Sequence, residues 1–568
     1  MVENYEVAKV LDETADMLEV AGENFFRVRA YRNAARAIRD QTARVADLTQ
    51  EQIDEIPGIG ADLAEKIRSI ATTGELSLHH ELAAKFPPRL LELRDVPGLG
   101  PKRLKLLIDR LHIRDRDDLE RAIKSERLRE IRGFGPKIEE RILESLARHE
   151  PAQGKRILYA EAARIAAQLS AHLRKCAAIR ELEVAGSFRR KRETVGDLDI
   201  VVAAADSAAV MGHFTAFPGI AQVTGSGETK TSVVLKDGLQ IDLRVVLPKS
   251  FGAALAYFTG SKSHNVHLRR IAQARGLLLN EYGLLRDSSV IAGKTEEEIY
   301  RALELAWVPP ELREDRGEIE AAAGGGLPRL IERGDLRGDL HTHSLYTDGR
   351  ASIEEMARRA HELGLEYVAM TDHSRRIAMA HGLDPARLRE QRREIDRIRR
   401  KISGITLLHG IEVDILEDGR LDLPNDALAE LDWVVASVHY KLEQDPADMT
   451  RRLVKAIRNR NVDAIGHPSG RLLGHREPSN FDLSEILRVA REEGCALEIN
   501  SQPDRLDLTD TACMAAKRAG VKLVISSDGH STRDFDLLEY GVNQARRGWI
   551  EKADILNTRP VEKLRLRA

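Results

Sequence analysis

Short apolar runs alternate with longer amphipathic stretches throughout the last 230 or so residues of the chain. Between several runs lie helical patterns such as SIEEMARRAHELG and FDLSEILRVAREEG. The runs, each ending in polar residues, are GDLHTH (338–343), YVAMTDH (367–373), ITLLHGIEV (405–413), WVVASVH (433–439), VDAIGH (462–467), CALEIN (495–500) and VKLVISSDGH (521–530). Alternating strands and helices predict a parallel sheet, and seven such units can close into a barrel.

Residues 151–316 show strict alternation of apolar and polar positions instead. LEVAGS, DLDIVV (197–202) and LQIDLRVV (239–246) each predict a half-buried strand. Because residues i and i+2 of a strand share a face, Asp197 and Asp199 should project together while Leu198 and Ile200 face the core. Asp242 occupies an equivalent position in the third strand. The pattern predicts an α+β domain with three aspartates on its sheet.

The first 150 residues repeat one amphipathic motif: EIPGIGADLAEKI (55–67), DVPGLGPKRLKLL (95–107) and EIRGFGPKIEERI (130–142). Such a repeat could build a helical solenoid or ordinary helical corners. The Gly-x-Gly spacing favours a turn that exposes the first N–H groups of the next helix to a phosphate. The motif resembles the helix-hairpin-helix of DNA repair proteins, which holds the duplex backbone. The candidate DNA-binding residues are Gly58, Gly60, Gly98, Gly100, Lys102, Gly133, Gly135 and Lys137.

Composition sets the class of protein. A chain of 568 residues exceeds one hydrophobic core, which predicts three to five domains. Hydrophobic residues make up 42% and charged residues 32%, as in soluble globular proteins, and no apolar run reaches the ~18 residues of a membrane span. The start lacks a signal-peptide pattern, and the three cysteines have no paired spacing, so we expect a reducing cytoplasm. A net charge of -3 neither supports nor excludes nucleic acid.

The strand-borne aspartates predict a metal site. Like charges side by side are costly unless a cation neutralises them, and carboxylate pairs suit Mg²⁺. Three such carboxylates could hold two ions about 3.5–4 Å apart. The turn at Gly186 and Ser187, followed by basic residues, supplies backbone N–H groups, a hydroxyl and guanidinium groups for phosphates. The alternative is a solvated acidic strand edge beside a basic loop.

GSFRR…GDLDIVV, IDLRVV, YFTGSKSHNVHLRR and FFRVRAYRNAARAI (25–38) resemble the family X DNA polymerases, which include polymerase beta. The resemblance covers about residues 1–315. It implies that Asp197, Asp199 and Asp242 bind catalytic Mg²⁺ or Mn²⁺, with Asp242 as the general base or the ligand beside the primer 3′-hydroxyl. The implied nucleotide-binding residues are Gly186, Ser187, Arg190, Gly196, Arg156, Tyr257, Phe258, Gly260, Asn265 and Arg269.

Some positions depart from that family or have a simpler interpretation. Lys262 stands where polymerase beta has an aspartate, which puts one nucleotide contact in doubt. Lys66 matches the family's Schiff-base lysine, but Asp62 replaces a phosphate-binding lysine and should repel a 5′-phosphate. Lys66 is therefore only a candidate lyase residue, and the alternative is an exposed helical lysine. Tyr257 and Phe258 could also be plain core residues.

Six of the seven C-terminal runs carry metal-ligating side chains at or just after their ends. A single histidine after a strand is usually a core or surface residue, but this set covers six of seven strands. Nine nitrogen and oxygen ligands could hold two or three Mn²⁺, Zn²⁺ or Fe²⁺ ions. The candidate ligands are His341, His343, Asp348, His373, Glu412, His439, His467, Asp528 and His530.

These motifs resemble the PHP (polymerase and histidinol phosphatase) domain. The resemblance implies a distorted (β/α)₇ barrel with a trinuclear phosphoesterase site and 3′→5′ exonuclease activity, with AP-endonuclease and 3′-phosphatase activities as further candidates. Asp372 should orient the ligands. Glu498 and Asn500 are candidate substrate contacts, and Arg471 and His475 are candidate phosphate contacts.

The whole chain thus predicts a multidomain, monomeric enzyme that fills short gaps in nicked or gapped DNA with dNTPs, as in base excision repair, and trims DNA ends. The linker AAAGGGLPRL (321–330) separates its two main parts. Two alternatives remain: a DNA-tethered protein with one inactive site, and a small-molecule phosphatase of the histidinol phosphate type. The predicted domains are 1–90 (lyase-like, helical), 91–150 (fingers), 151–247 (palm), 248–316 (thumb), 317–334 (linker) and 335–568 (PHP).

Overall fold

The chain folds into two compact units, Met1–Lys155 and Arg156–Ala568. The structure, a computed structural model, describes residues 4–39, 45–56, 59–86, 156–287 and 289–565. Between 90 and 142 it also describes residues 90, 93, 99, 101–111, 113–125, 127–131, 134, 138–139 and 142. The finer division into six parts stays a prediction. Within these residues, no helix combines the length and the apolar character needed to cross a bilayer.

The first unit is helical in its described residues. Apolar positions spaced three and four residues apart, such as Val7, Leu11, Ala15 and Leu18 of the first helix, are buried in one core. The α-helices are α1 (Asn4–Ala21), α2 (Phe25–Arg39), α3 (Gln50–Asp54), α4 (Ala61–Thr73), α5 (Ser77–Lys85), α6 (Pro101–Leu111) and α7 (Arg116–Lys124).

The helix-hairpin-helix predictions fall on this unit, but only some of them lie on residues that the structure describes. Gly60 is the N-cap of α4, and Lys102 is the second residue of α6, so both helices begin where the motif predicts. The predicted residues Gly58, Gly98, Gly100, Gly133, Gly135 and Lys137 lie outside the described residues.

Lys66, the candidate lyase residue, lies on α4. Its ammonium group pairs with Asp62 one turn earlier and lies 5.8 Å from the centre of the Tyr31 ring. Burial would lower the pKa of Lys66, but Asp62 and Tyr31 together raise it above its usual value. A Schiff base forms only from the neutral amine, so this surrounding disfavours lyase chemistry.

The second unit begins with a five-stranded mixed sheet in the order β2-β4-β7-β6-β5. Strand β4 is antiparallel to β2 and parallel to β7. β1 (Ile157–Leu158) and β3 (Thr194–Val195) form a separate antiparallel pair. The five strands of the mixed sheet are β2 (Ile179–Val184), β4 (Asp197–Ala204), β5 (Ile220–Ser226), β6 (Lys230–Leu235) and β7 (Gln240–Val246). The helices are α8 (Tyr159–Leu173), α9 (Gly186–Arg189) and α10 (Ser207–Thr215).

A smaller helical layer with a three-stranded antiparallel sheet follows. Its elements are α11 (Phe251–Thr259), α12 (Lys262–Ala274), β8 (Leu278–Asn280), β9 (Gly283–Arg286), β10 (Ser289–Ala292), α13 (Glu296–Ala302) and α14 (Glu318–Gly324). Residues predicted to be a linker thus include α14, whose Ile319 and Ala322 belong to the buried core of this layer. The glycines at 324–326 end that helix, because Gly325 takes a left-handed conformation at its C-cap.

The remaining residues form a barrel of seven parallel strands in sequence order, as predicted. A parallel bridge from Thr342 to Gly529 brings the first and last strands together. The strands are β11 (Gly338–Thr342), β12 (Tyr367–Met370), β13 (Thr406–Asp414), β14 (Trp433–Ser437), β15 (Ala464–Ile465), β16 (Ala496–Asn500) and β17 (Leu523–Ser526). The helices are α15 (Ile353–Glu362), α16 (Pro385–Arg399), α17 (Asn425–Ala429), α18 (Pro446–Ile457), α19 (Leu483–Glu493), α20 (Asp510–Ala519) and α21 (Leu538–Arg547).

Two buried clusters make up the core of the barrel. Leu340, Leu408 and Trp433 belong to one cluster, whereas Ile411 and Val434 belong to the larger cluster that includes helix residues. Because side chains alternate along a strand, β12 to β17 each contribute to both clusters, whereas β11 contributes Leu340 to the first. The carboxyl ends of parallel strands meet at one rim, so residues that follow them are brought together.

Candidate functional site

Strands β4 and β7, two neighbouring inner strands, place the three predicted aspartates on one face of the mixed sheet. Asp199 and Asp242 face each other in the parallel register, and Asp197 lies two residues earlier on β4. Leu198 and Ile200 are fully buried, as the alternation predicts. Asp197 is exposed, whereas Asp199 and Asp242 are half-buried. The strand pairing thus brings together carboxylates that are 43 positions apart in sequence.

The electrostatics of this cluster favour a bound cation. Burial, together with the charges of Asp197 and Asp242, raises the pKa of Asp199 to about 7. A carboxyl group with so high a pKa is one whose ionised form lacks a counter-ion. Lys230, which the sequence analysis did not identify, lies with its Nζ 2.7 Å from Asp242 Oδ2. Burial would raise the pKa of Asp242, but hydrogen bonds from Lys230 and Ser232 lower it below its usual value.

The turn beside the aspartates is built around Gly186. Its φ is +64°, and a Cβ atom there would lie 2.5 Å from Asp199 Oδ2. Glycine is therefore required both by the backbone conformation and by the close approach of the carboxylate. Gly196 lies against Arg156, whose Nε donates to Thr194 Oγ1 at 2.9 Å. The predicted residues of this turn thus surround the aspartates on one side.

Arg190 and its neighbour Arg189 differ in their surroundings. Arg190 donates from Nη1 to the backbone O of Thr259 at 2.7 Å and from Nε to Glu314 Oε1 at 3.0 Å. Arg189 makes a bidentate pair with Glu296 at 2.8 and 3.0 Å. Burial would raise the pKa of Glu296, but Arg313 and Arg189 lower it to about 2. Arg189 is thus a structural brace, and Arg190 is the residue of the pair predicted to bind phosphate.

The other predicted nucleotide contacts cluster at the end of α11. Phe258 lines a small cavity of about 40 Å³ together with Asp199, Asp242 and Lys230. The Tyr257 ring meets it edge-on, with the ring centres 5.1 Å apart. Both rings are half-buried, and Phe258 also packs against a buried cluster that includes Val201 and Phe251.

Asn265 and Arg269 lie on α12, the next helix. Asn265 Nδ2 donates to the carbonyl groups of Tyr257 (2.6 Å) and Gly260 (3.2 Å). A Cβ atom at Gly260 would lie 2.4 Å from Asn265 Oδ1, so the two residues fit closely. Arg269 Nε donates to the Asn265 carbonyl at 3.2 Å.

A second group of side chains meets at the carboxyl rim of the barrel. Among the described residues, three sets have ligand atoms that all lie within 4.8 Å of one another, and all three sets are in the barrel rather than at the three aspartates. The sets are His343, Asp348, His373 and His530; His341, His343 and Asp528; and His373, Glu412 and His439. His467, the ninth predicted ligand, lies with its Nε2 3.0 Å from Glu412 Oε1. The rim thus brings all nine predicted residues together.

Glu412 lies at the centre of this rim. Its two oxygens lie within 4 Å of five imidazole rings, and His373 Nδ1 is the nearest at 2.6 Å. Burial would raise the pKa of Glu412, but the imidazoles of His439, His373 and His341 hold it well below its usual range. Glu412 is therefore an ionised carboxylate in a fully buried position.

The donor set fits divalent ions. Several buried ring nitrogens form no hydrogen bond, among them His341 Nε2, His343 Nδ1 and His467 Nδ1. Buried polar atoms without a partner are costly unless a ligand or ion satisfies them. His467 (φ +27°) and Asp528 (φ +51°) also take backbone conformations that side-chain-bearing residues rarely adopt, and such strain concentrates at functional sites. Mixed nitrogen and oxygen ligation suits Mn²⁺, Zn²⁺ or Fe²⁺.

Two residues predicted to contact substrate instead support the ligands. Glu498 accepts from His341 Nδ1 at 2.7 Å and from the His467 backbone N–H at 2.6 Å. Asn500 Nδ2 donates to Asp528 Oδ2 at 3.0 Å. Both side chains are buried, and their polar atoms are engaged by the ligands that they orient.

Asp372, predicted to orient the ligands, contacts the loop that carries a ligand instead of a ligand side chain. Its carboxylate accepts hydrogen bonds from Ser344, Thr347 and Gln391. It therefore fixes the loop after β11, which carries Asp348, rather than a histidine ring.

Arg471 does not take the predicted place of an exposed phosphate contact. It is buried, and its Nη2 lies 2.6 Å from Glu193 Oε1 of the first sheet layer. His475 is exposed, on the same loop. The sequence places a basic loop near the rim, but only the fold shows that its arginine points into an interface.

Five family models match the chain, each over one segment. They are a helix-hairpin-helix domain (residues 2–76), a SAM-like helix-hairpin-helix tandem (90–148), the DNA polymerase beta palm (156–271), the DNA polymerase beta thumb (254–314) and the PHP domain (339–502). These models agree with the predicted fold class, which combines helix-hairpin-helix motifs, a palm, a thumb and a PHP barrel.

Similar proteins fall into two kinds. The DNA polymerase/3′-5′ exonuclease PolX of Bacillus subtilis (strain 168) is 36% identical over 561 residues, which cover 98% of both chains. A probable phosphatase of Thermoanaerobacter sp. (strain X514) is 33% identical over 233 residues, which cover 39% of this chain and 89% of the phosphatase. A probable phosphatase of Vibrio campbellii is 31% identical over 212 residues, covering 35% of this chain and 80% of its own.

Proposed function

Because this chain belongs to the PolX family of DNA polymerases with a PHP domain, we propose that it extends DNA primers at the palm aspartates and shortens 3′ ends at the barrel rim. The observation that carries the proposal is that one chain holds two separate ligand sets, three carboxylates on a mixed sheet and nine imidazoles and carboxylates on a barrel. We further propose short gaps in DNA as the substrate, dNTPs as the second substrate, and base excision repair in the cytoplasm as the role.

At the palm, Asp197, Asp199 and Asp242 would hold Mg²⁺ or Mn²⁺. Such ions, when bound, align the 3′-hydroxyl with the α-phosphate and neutralise charge on the leaving pyrophosphate. Asp242 is kept ionised by Lys230 and can accept a proton from the 3′-hydroxyl.

The Gly186 turn and Arg190 would bind the triphosphate, and Tyr257 and Phe258 would contact the sugar of the nucleotide. Gly196 and Arg156 would support that turn, and Ser187 would add a hydroxyl group. Gly260 would allow Asn265 and Arg269 to approach the base of the nucleotide.

At the barrel, the nine rim ligands would hold two or three ions. Bound there, the ions supply a water of lowered pKa and a charge that stabilises the leaving oxygen. Glu412 would supply negative charge to those ions beside the surrounding imidazoles, and Glu498 fixes His341 and the backbone of His467. Since Asp348 lies on a loop after β11 and is half-exposed, the side of the rim near it is the one that substrate phosphate can reach.

A second activity of the same rim has specific support. The barrel matches the probable phosphatases over most of their length, which favours hydrolysis of terminal phosphate groups, such as a 3′-phosphate on DNA. Gapped DNA should inhibit the hydrolysis of a small phosphate ester if both substrates use the rim. Unaffected ester hydrolysis at saturating DNA would instead place the two reactions at separate sites.

Removing divalent ions tests the proposal directly. Protein stripped with a chelator and assayed on a labelled primer at a one-nucleotide gap should neither extend the primer with dNTPs nor shorten it without them. Adding back Mg²⁺ or Mn²⁺ should restore extension, because the palm offers carboxylate oxygens. Mn²⁺, Zn²⁺ or Fe²⁺ should restore shortening, because the rim also offers imidazole nitrogens. Extension or shortening that persists at full rate in stripped protein would contradict a metal role at that site.

Gly186→Ala should impair extension alone. The added Cβ would lie 2.5 Å from Asp199 Oδ2, and alanine disfavours the left-handed φ of +64°, so the carboxylate must move. A shift of about 1 Å can cost roughly 100-fold in rate, which is the loss expected in gap filling. Shortening of the same primer should stay unchanged.

Gly212→Ala is the matched control for that variant. It adds the same methyl group to the same domain, in helix α10, where nothing lies within 4 Å of the new atom. It should extend primers like the unchanged protein. Equal extension rates for the two variants would show that Gly186 has no special role.

A further inference from the structure

The last helix of the barrel lies against the turn of the palm that carries Arg190. Tyr540, Gln544 and Arg547 of α21 share one helix face, because they are four and three residues apart. The Tyr540 ring meets the Tyr159 ring edge-on at 6.0 Å, and Gln544 Nε2 donates to Glu193 Oε1 at 2.8 Å. Arg547 Nη1 donates to the backbone carbonyl of Arg190 at 2.8 Å. One face of a barrel helix thus holds the palm turn.

Arg547 also shares a carboxylate with Arg190. Its Nη1 lies 3.1 Å from Glu314 Oε1, and the same oxygen accepts from Arg190 Nε at 3.0 Å. Burial would raise the pKa of Glu314, but Arg547 and Arg190 lower it to about 2, so Glu314 is ionised. One negative charge is therefore divided between two guanidinium groups.

This sharing matters because of what would remain without Arg547. Arg192, the other cation near Glu314, is 3.8 Å away and half-exposed, so its attraction is weak. Arg190 would then be the main counter-ion of a buried carboxylate. Without Arg547, the buried Glu314 carboxylate would bind Arg190 more tightly, and this would keep the Arg190 guanidinium from a triphosphate.

A second brace holds the same turn from the loop after β15. Arg471 pairs with Glu193 four residues after the rim ligand His467. Asp507 fixes that loop by accepting from the backbone N–H groups of Ser469 and Gly470, both at 2.9 Å. The palm turn therefore rests on two barrel elements, and Arg547 is the contact that touches Arg190 itself.

We propose that Arg547 of the barrel is a positioning residue of the polymerase site. It holds the Arg190 backbone in place and neutralises part of the Glu314 charge, so that the Arg190 guanidinium can turn to the triphosphate of the incoming nucleotide. This inference rests on the proposed role of Arg190 in nucleotide binding. It makes nucleotide binding in the palm dependent on a barrel helix that carries none of the palm's metal ligands.

Arg547→Met in the full chain tests the inference. Single-nucleotide gap filling should show a KM for dNTP raised about tenfold or more, the effect of one lost charge-assisted bond. The kcat at saturating dNTP should change little, and 3′→5′ shortening should not change, because the rim ligands are untouched. Arg546→Met is the matched control, since Arg546 pairs with Glu311 and does not touch the turn. Its KM should equal that of the unchanged protein.

Restoring the charge balance separates positioning from simple packing. Glu314→Gln combined with Arg547→Met removes the buried charge that would hold Arg190, so the KM should return toward the unchanged value. A purely structural defect would not be rescued by this second change. A double variant as defective as Arg547→Met alone would overturn the charge-sharing role.

Arg547→Lys keeps the result decisive if the methionine variant does not fold. Arg547 also pairs with the buried Asp510, its Nη2 lying 2.5 Å from Asp510 Oδ2. Lysine retains the charge but cannot bond the Arg190 carbonyl, Glu314 and Asp510 at once, so an intermediate rise in KM is expected. An unchanged KM in a lysine variant with normal shortening activity would overturn the inference. If the unchanged protein fails to extend any primer, the proposed function fails instead, which is a distinct result.

Discussion

Replacing Asp199 by asparagine is expected to lower primer extension about a thousandfold or more, because it removes a ligand from ions that contribute several kcal/mol to phosphoryl transfer. Asp199 is the most buried of the three aspartates, and burial with its two neighbours raises its pKa to about 7. An asparagine has nearly the same shape but no charge, so the fold should persist. Asp199 is therefore the aspartate whose replacement should lower metal binding and primer extension the most.

Single-turnover extension of a labelled primer at a one-nucleotide gap measures this effect. Shortening of the same primer without dNTPs should remain at the level of the unchanged protein. Asp206→Asn is the matched control: Asp206 is exposed and caps α10 by accepting from Ala209 N–H, a role that asparagine fills equally well. Extension by Asp199→Asn at more than about a tenth of the unchanged rate would rule out a central metal role for that carboxylate.

Replacing Glu412 by glutamine is expected to abolish 3′→5′ shortening by a similar factor, about a thousandfold. The two oxygens of Glu412 lie within 4 Å of five imidazole rings. Its loss removes the negative charge that balances ions and imidazoles at the rim, and the amide offers N–H groups where ligand atoms are needed. Bound metal, measured by elemental analysis of the purified protein, should fall together with the activity.

Primer extension should survive the Glu412 change, since the palm aspartates belong to a different sheet. Glu430→Gln is the control for this variant, because Glu430 is an exposed residue of the same barrel away from the rim. The two ligand sets predict opposite patterns: Asp199→Asn loses extension and keeps shortening, and Glu412→Gln does the reverse. If either variant lost both activities while remaining folded, the two reactions would have to share one site.

Much of the candidate site was predictable because its signals are local. Alternation of period two places Asp197 and Asp199 on one face of a strand, and polar residues after successive parallel strands must meet at one rim. These rules identified all nine residues that the rim brings together, from His341 to His530. They also predicted a parallel sheet of seven strands that closes into a barrel, because strands that alternate with helices form parallel sheets.

Other features had no local signal. Lys230 meets Asp242 only because β6 pairs with β7 in one register, and that register is set by the whole sheet. Glu498 and Asn500 could be placed on a strand end, but whether they touch substrate or orient a ligand depends on neighbours from other strands. In the first helical unit most of the predicted glycine turns lie outside the described residues, so their DNA-binding role stays a prediction.

The sequence by itself determined which side chains can hold divalent ions and which elements carry them, since both follow from residue type and from periods of two and 3.6 residues along the chain. Only the tertiary structure decided which of those side chains act on one another. Arg471 and Arg547 look like ordinary basic residues of a loop and a helix, yet they lie against Glu193 and Arg190, which are 278 and 357 positions away. Contacts across such distances arise from how domains pack, and packing depends on the shape of whole surfaces rather than on any short stretch of sequence.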